Sequence, residues 1–208
     1  MGVDKLADLM RARRENGVKP YVLLLGAGAS VSSGTSLNRA VVEEIVGNFS
    51  IKRFDQYLDG LGDNDRFAVL RRLVEGASAS PGYAALARLI QARYFDVVLS
   101  TNFDPLLEDA LSAADLRRRD YTVLVHGIME PPFIEAQMNA LEPRVKILKL
   151  HGDLFYRKFF YSSSEIRSFP RQIANVLSGF LNGQDAMIVG HGMNDMDVNR
   201  CLARTGPS

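Results

Sequence analysis

The sequence predicts an α/β protein: a Rossmann-like parallel sheet with helices on both faces and a small inserted helical module. Three observations carry this. Short apolar runs of strand length recur, among them Tyr21 to Leu25, Phe95 to Ser100, Val145 to Leu150 and Ala186 to Val189. Continuous runs of this kind suit parallel strands buried on both faces. Segments with apolar residues at helical spacing separate them, and that alternation argues for a parallel sheet. Finally, the first run passes directly into Gly26-Ala27-Gly28-Ala29-Ser30, a loop of small residues of the kind that opens nucleotide-binding α/β domains. Residues 1–208 read as a single domain with a helical insertion at about 51–94.

The first element is residues 4 to 15, an amphipathic pattern with Leu6, Leu9 and Met10 on one face, and Gly17 ends it. The first strand spans Tyr21 to Leu25. The loop from Gly26 to about Leu37 leads to a helix carrying Val41, Val42, Ile45 and Val46. Phe54, Tyr57, Leu58 and Leu61, then Phe67, Leu70, Leu73 and Val74, then Leu86, Leu89 and Ile90 recur at helical spacing and form the insertion. After the strand at Phe95 to Ser100, Pro105 suits a first helical turn. Tyr121 to Val125 is a strand, and the prolines 131, 132 and 143 mark a loop. Val145 to Leu150 is the next strand, residues 164 to 182 a helix, Ala186 to Val189 the last strand, and Asp197 to Ala203 the last helix.

Composition narrows the function. The chain has 208 residues, 47% hydrophobic and 24% charged, as in ordinary globular proteins. A net charge of +1 leaves no basic surplus for nucleic acid. The single cysteine, Cys201, excludes a disulfide framework and a four-thiolate zinc site. No apolar run approaches the roughly 20 residues that span a bilayer, and residues 1 to 16 lack a secretory pattern. A cytoplasmic setting is expected.

Open parallel sheets bind ligands beyond the carboxyl ends of their strands. The polar residues just after each strand are Gly26 to Ser30, Thr101 to Asp104, His126, His151 to Asp153, and Gly190 to Asn194. They include all three histidines. Each has a plainer reading. Gly26 and Gly28 can serve a tight turn, and Asn102 and Asp104 can cap a helix. Asp195 and Asp197 can begin one, and His151 or His126 can bond a strand-end carbonyl. Val31 stands where a dehydrogenase favours a third glycine, and no Gly-x-Ser-x-Gly elbow is present.

Four pieces, in order, carry a family resemblance: Gly26-Ala27-Gly28-Ala29-Ser30, Ser100-Thr101-Asn102-Phe103-Asp104, Leu150-His151-Gly152-Asp153, and Gly190-His191-Gly192-Met193-Asn194-Asp195-Met196-Asp197. From about residue 20 to 203 the chain resembles a sirtuin-like domain. More narrowly it resembles the bacterial NAD-consuming branch found in antiphage defence proteins, which lacks the zinc module. The resemblance implies that Gly26, Ala27, Gly28 and Ser30 hold the NAD pyrophosphate. It places Asn102 at the nicotinamide ribose and the attacking water, with Asp104 beside the nicotinamide. It makes His151 the catalytic histidine, acting on a ribose hydroxyl. It puts the loop with Gly190 and His191 along the adenosine half, and Thr101, Asn194 and Asp197 complete the cofactor-binding set.

These residue types fit the chemistry. Cleaving nicotinamide from ribose builds oxocarbenium character at the sugar carbon. An amide positions water there without being a strong base, and a histidine exchanges protons near neutral pH. Departures from the deacylases point away from peptide substrates. There is no four-cysteine module and no acidic-aromatic segment between Asp153 and Arg171. Ser36-Leu37-Asn38-Arg39 stands where they carry Asp-Phe-Arg. The expectation is an NAD glycohydrolase using NAD as substrate and no metal, acting as a homo-oligomer or with a partner sensor protein. The alternatives are an NAD or ADP-ribose sensor without turnover, a zinc-free deacylase, and an assembly scaffold.

Overall fold

A computed structural model describes residues 2–35, 39–160, 171–192 and 196–203. Five strands form one parallel sheet: β1 (Val22–Leu25), β2 (Val97–Ser100), β3 (Tyr121–Val125), β4 (Val145–Lys149) and, after a two-stranded hairpin of β5 (Gly152–Asp153) and β6 (Lys158–Phe159), β7 (Ala186–Val189). Their order is β3-β4-β2-β1-β7. In register, Leu24 lies beside Leu99 and Ile188, and Leu99 beside Leu148.

The helices are α1 (Val3–Glu15), α2 (Arg39–Val46), α3 (Ile51–Asp59), α4 (Asp63–Val74), α5 (Pro81–Gln91), α6 (Leu106–Ala113), α7 (Pro131–Asn139), α8 (Arg171–Leu181) and α9 (Met196–Ala203). Because side chains alternate along a strand, the sheet feeds two cores. Val22, Leu24, Leu99 and Leu148 pack against Ile134 and Met138 of α7, Ile173 and Leu177 of α8, and Val198 and Cys201 of α9. Leu23, Leu25, Val98 and Ile147 pack on the opposite face against Tyr83, Ala87 and Ile90 of α5 and Leu107 and Leu111 of α6. The α/β architecture is therefore as the alternation of elements implies, except that β7, at the edge of the sheet, is not buried on both faces and leaves Ile188 and Val189 exposed. Among the described residues no helix is long and apolar enough to cross a membrane.

A third core lies off the sheet. It joins Val41 and Val42 of α2, Phe54 and Leu58 of α3, and Leu70 and Leu73 of α4 to Leu154 and Phe159 around the β5–β6 hairpin. Residues 51–94 thus divide: α3 and α4 build this third core, while α5 lies on the sheet. Three local differences from the sequence reading have physical causes. The prolines at 131 and 132 open a helix instead of a loop, since the first turn needs no N–H from them. The hairpin after His151 has strands too short to show a period. The apolar face of α1 is only half covered, with Leu9 40% exposed. Leu6 and Met10 of that helix line a groove of about 470 Å³ against β1 and α5. The expected helical segment before Arg171 lies outside the described residues.

Candidate active site

Backbone bonds continue the sheet one step past the strand ends. His126 N–H donates to Lys149 O at 3.0 Å, Leu150 N–H to Ser100 O at 2.7 Å, Thr101 N–H to Leu25 O at 2.9 Å, and Gly26 N–H to Val189 O at 3.0 Å. His126, His151, Asn102, Gly26 and Gly190 therefore leave the sheet from a single rim. Asn102 and His151 come after the neighbouring strands β2 and β4.

Asn102 is almost wholly buried, 6% exposed. Its Nδ2 donates to Gly26 O at 3.2 Å, Ser30 Oγ at 3.1 Å and Tyr83 OH at 3.3 Å. The carbonyl of Gly26 accepts only, so it fixes which end of the amide faces inward. Asn102 Oδ1 is buried and has no hydrogen-bond partner among the described residues. Thr101 Oγ1 donates to Leu25 O at 3.2 Å, holding the start of the loop to β1.

Asp104 combines the cap and the site. Its Oδ1 accepts Leu106 N–H at 3.2 Å at the start of α6, and its Oδ2 accepts from Ser30 Oγ at 2.9 Å. Burial pushes its carboxyl above the ordinary range, against the opposing pull of the Ser30 and Leu106 hydrogen bonds and of Lys149. Beneath it lies Lys149, 1% exposed. Lys149 Nζ donates to Asp104 O at 2.8 Å, to Glu108 Oε1 at 3.1 Å and to Asp153 Oδ2. Burial pushes this ammonium down, but Glu108 and Asp153 together hold it above its ordinary value. Asp153 Oδ1 in turn accepts Phe155 N–H at 2.7 Å.

His151 is buried, and its carbonyl accepts Phe160 N–H at 2.8 Å. The hairpin folds back tightly because Gly152 has φ +83°; a Cβ there would meet Lys158 O at 2.2 Å. His126, the other strand-end histidine, is occupied structurally. Its Nδ1 lies 2.9 Å from Leu150 O and its ring stacks on Phe160 with centroids 5.0 Å apart. Burial pushes its pKa down, which favours the neutral ring.

The first loop is a tight 3-10 turn over Ala27–Ser33. Its glycines serve a close approach of backbones. A Cβ on Gly26 would lie 2.5 Å from His191 Cα, and one on Gly28 would lie 2.8 Å from Gly190 O. Gly28 N–H donates to Gly190 O at 2.8 Å, and Ala29 N–H to Gly26 O at 2.9 Å. Ser30 turns inward and is 1% exposed. Ala27 is exposed at the start of the turn.

The fold thus joins Gly26, Ser30, Asn102 and Asp104 by direct hydrogen bonds, sets Thr101 and His151 beside them, and locks Gly190 and His191 onto the first loop. Asp197 lies in the first turn of α9, and Asn194 lies outside the described residues. Among those residues no group of three or more histidines, cysteines and acids is set to hold a metal. Sequence reasoning did not single out Tyr83 or Lys149. The signal for Lys149 was a cation inside an apolar strand with Asp153 four residues later. Tyr83 had no such signal, because only the fold brings it to Asn102.

No curated protein matches the chain. A family model described as a SIR2-like domain matches residues 96–205. That span runs from the start of β2 to the end of α9, and so takes in Asn102, Asp104, His151 and the Gly190 turn while leaving out the first glycine loop. More than half of the 208 residues fall within it. The rim built from β2, β4 and β7 is therefore part of a SIR2-like domain, and the chain belongs to that family, with the NAD-related, sirtuin-like activity that membership implies.

Proposed function

We propose that this protein is an NAD glycohydrolase, converting NAD and water to nicotinamide and ADP-ribose. The observation that carries the reading is the Asn102 amide. It is clamped through Nδ2 while its buried Oδ1 is left without a partner, on the rim that also carries His151. A buried acceptor without a partner costs roughly 1–3 kcal/mol, and a bound water or ribose hydroxyl would satisfy it.

In this mechanism the bond between the ribose carbon and the nicotinamide nitrogen breaks, and its electron pair leaves with nicotinamide, which becomes neutral. Positive charge develops on the sugar. Asn102 Oδ1 accepts a hydrogen bond from the attacking water and holds it against that carbon. As water adds, it gives up one proton, which passes by way of the ribose hydroxyl to His151 and from there to solvent. Asp104 lies beside the nicotinamide, in a buried setting where nearby dipoles act strongly. Gly26, Ala27, Gly28 and the backbone of Ser30, whose hydroxyl is already bonded to Asp104, Tyr83 and Asn102, serve the pyrophosphate; Gly190, His191, Asn194 and Asp197 serve the adenosine half. The same proposal places the protein in bacterial antiphage defence, in the cytoplasm, controlled by self-assembly or a sensor partner. Its support is the four-motif resemblance together with the absence of the four-cysteine module.

The test is nicotinamide release from NAD by purified protein over a range of concentrations. Wild type should turn over, and Asn102→Ala and His151→Ala should each lose at least about 100-fold while still binding ADP-ribose by calorimetry. ADP-ribose binding with no turnover by wild type would replace the reading with a sensor. Release that requires an acylated peptide would replace it with a deacylase.

A further inference from the structure

Ser30 and Asn102 bond each other directly and share a further partner. It is the phenol of Tyr83, from the first turn of α5, where Ser80 Oγ accepts its backbone N–H. Tyr83 is 3% exposed, with its OH 2.8 Å from Ser30 Oγ and 3.3 Å from Asn102 Nδ2.

With Asp104 ionised, the polarity of these bonds follows. Ser30 has a single proton and gives it to Asp104 Oδ2. Its oxygen must then accept from both neighbours, so Tyr83 O–H donates to Ser30 and Asn102 Nδ2 donates to Ser30. Ser30 is saturated, with one bond given and two taken. Asn102 spends its two N–H groups on Gly26 O and on the Ser30–Tyr83 oxygen pair. The chain runs one way, from Tyr83 through Ser30 to Asp104. Turning the Asn102 amide over would set its oxygen against Gly26 O, two acceptors face to face. Burial, followed by the Asp104 carboxylate, holds the Tyr83 phenol above its ordinary pKa, so the donor proton stays in place.

We propose that Tyr83 is a positioning residue for the reaction: its hydroxyl orders Ser30 and so fixes the Asn102 amide with Oδ1 presented to the substrate. The proposal rests on the glycohydrolase reading for its kinetic consequence, but not for its structural one. Tyr83 touches no reacting atom. It acts through Asn102, and it comes from the segment between β1 and β2, outside the residues that match the family.

The decisive variant is Tyr83→Phe, which keeps the ring in the core and removes only the hydroxyl. Two measurements are made on the full chain, with Tyr57→Phe, half-exposed on α3, as control. The first is the side-chain amide signal of Asn102 in a nitrogen–proton correlation spectrum, assigned by its loss in Asn102→Ala. In Tyr83→Phe that pair should shift and exchange with solvent about 10-fold faster, while backbone amides away from the rim stay in place. The second is NAD turnover, where kcat should fall about 10-fold with KM for NAD within about twofold, as expected for an interaction used only in the transition state. An unchanged Asn102 signal overturns the proposal whether or not the protein cleaves NAD. Unchanged kcat in an active protein also overturns it. Wild type that never releases nicotinamide, with the Asn102 signal shifted as expected, removes the glycohydrolase reading and leaves Tyr83 as the residue that orders this amide.

Discussion

The two halves of the carboxyl rim are held in different ways. Where β1 and β7 end, backbone rests on backbone: Gly28 N–H meets Gly190 O at 2.8 Å, and no side chain fits between the two turns. Where β2 and β4 end, buried side chains do the holding, with Lys149 on Asp153, Glu108 and the carbonyl of Asp104, and Asn102 on Ser30 and Tyr83. The first half is governed by shape and should respond to any added methyl group and to no change of pH. The second is governed by charge and hydrogen bonding, and should tolerate isosteres while responding to protons.

The largest effect should come from Gly190→Ala. Its φ of +67° strains any other residue, and its Cβ would lie 2.0 Å from Ala29 N. We expect a loss of about 5 kcal/mol or failure to fold, equal at pH 5 and pH 8 in urea unfolding. Lys149→Met should come next, at about 3 kcal/mol, because it strands Asp153 and Glu108 without their cation. Burial already pushes Glu108 above the usual carboxylate range, further than the pull of Lys149 can offset. The loss should therefore shrink as pH falls and Glu108 takes up a proton. A pH-independent loss would erase the distinction between the halves. Gly28→Ala, whose Cβ would press on Gly190 O at 2.8 Å, should cost about 2 kcal/mol, again without pH dependence.

Asp104→Asn should have the smallest effect. The folded protein raises the pKa of Asp104 above 3.8, so folding favours the protonated form. The resulting stability is fully present below pH 3.8 and is lost as pH rises through the folded pKa. The amide variant should then be the more stable at pH 7, by no more than about 1 kcal/mol. The gap should close as pH falls through the range in which wild-type Asp104 takes its proton. A gap that widens on acidification would contradict the burial argument.

The shape-governed half was readable in the sequence as far as its glycines, but not in its reason. Gly26 and Gly28 suggest room for a phosphate; the fold adds a second reason, since a Cβ on either would meet Gly190 or His191, contributed from more than 160 residues away. The sheet itself was legible because its strands are short, mainly apolar runs between helical patterns; their burial depends on position, and the edge strand β7 leaves Ile188 and Val189 exposed. Asn102 and His151 were legible because strand ends lie on one rim in any parallel sheet. Tyr83 and Lys149 were not, because a tyrosine at helical spacing and a lysine in a strand acquire their roles only through distant partners. Pro131 misled for a related reason: a proline marks a loop or a first helical turn according to the residues on its C-terminal side.

The third hydrophobic core bears on both candidate catalytic positions. Phe103, directly after Asn102, packs against it, and Leu154, three residues after His151, is buried within it. Leu154 N–H also donates to Phe103 O at 3.0 Å, and Arg157 lies over the ring of Phe67 on α4, 4.6 Å from its centroid. The amide and the imidazole are thus hooked, by short tethers, to one handle made of α2, α3 and α4. A tilt of that handle would tug on both tethers together, so a load on the outer surface of α3 or α4 would be felt at the strand ends that carry Asn102 and His151.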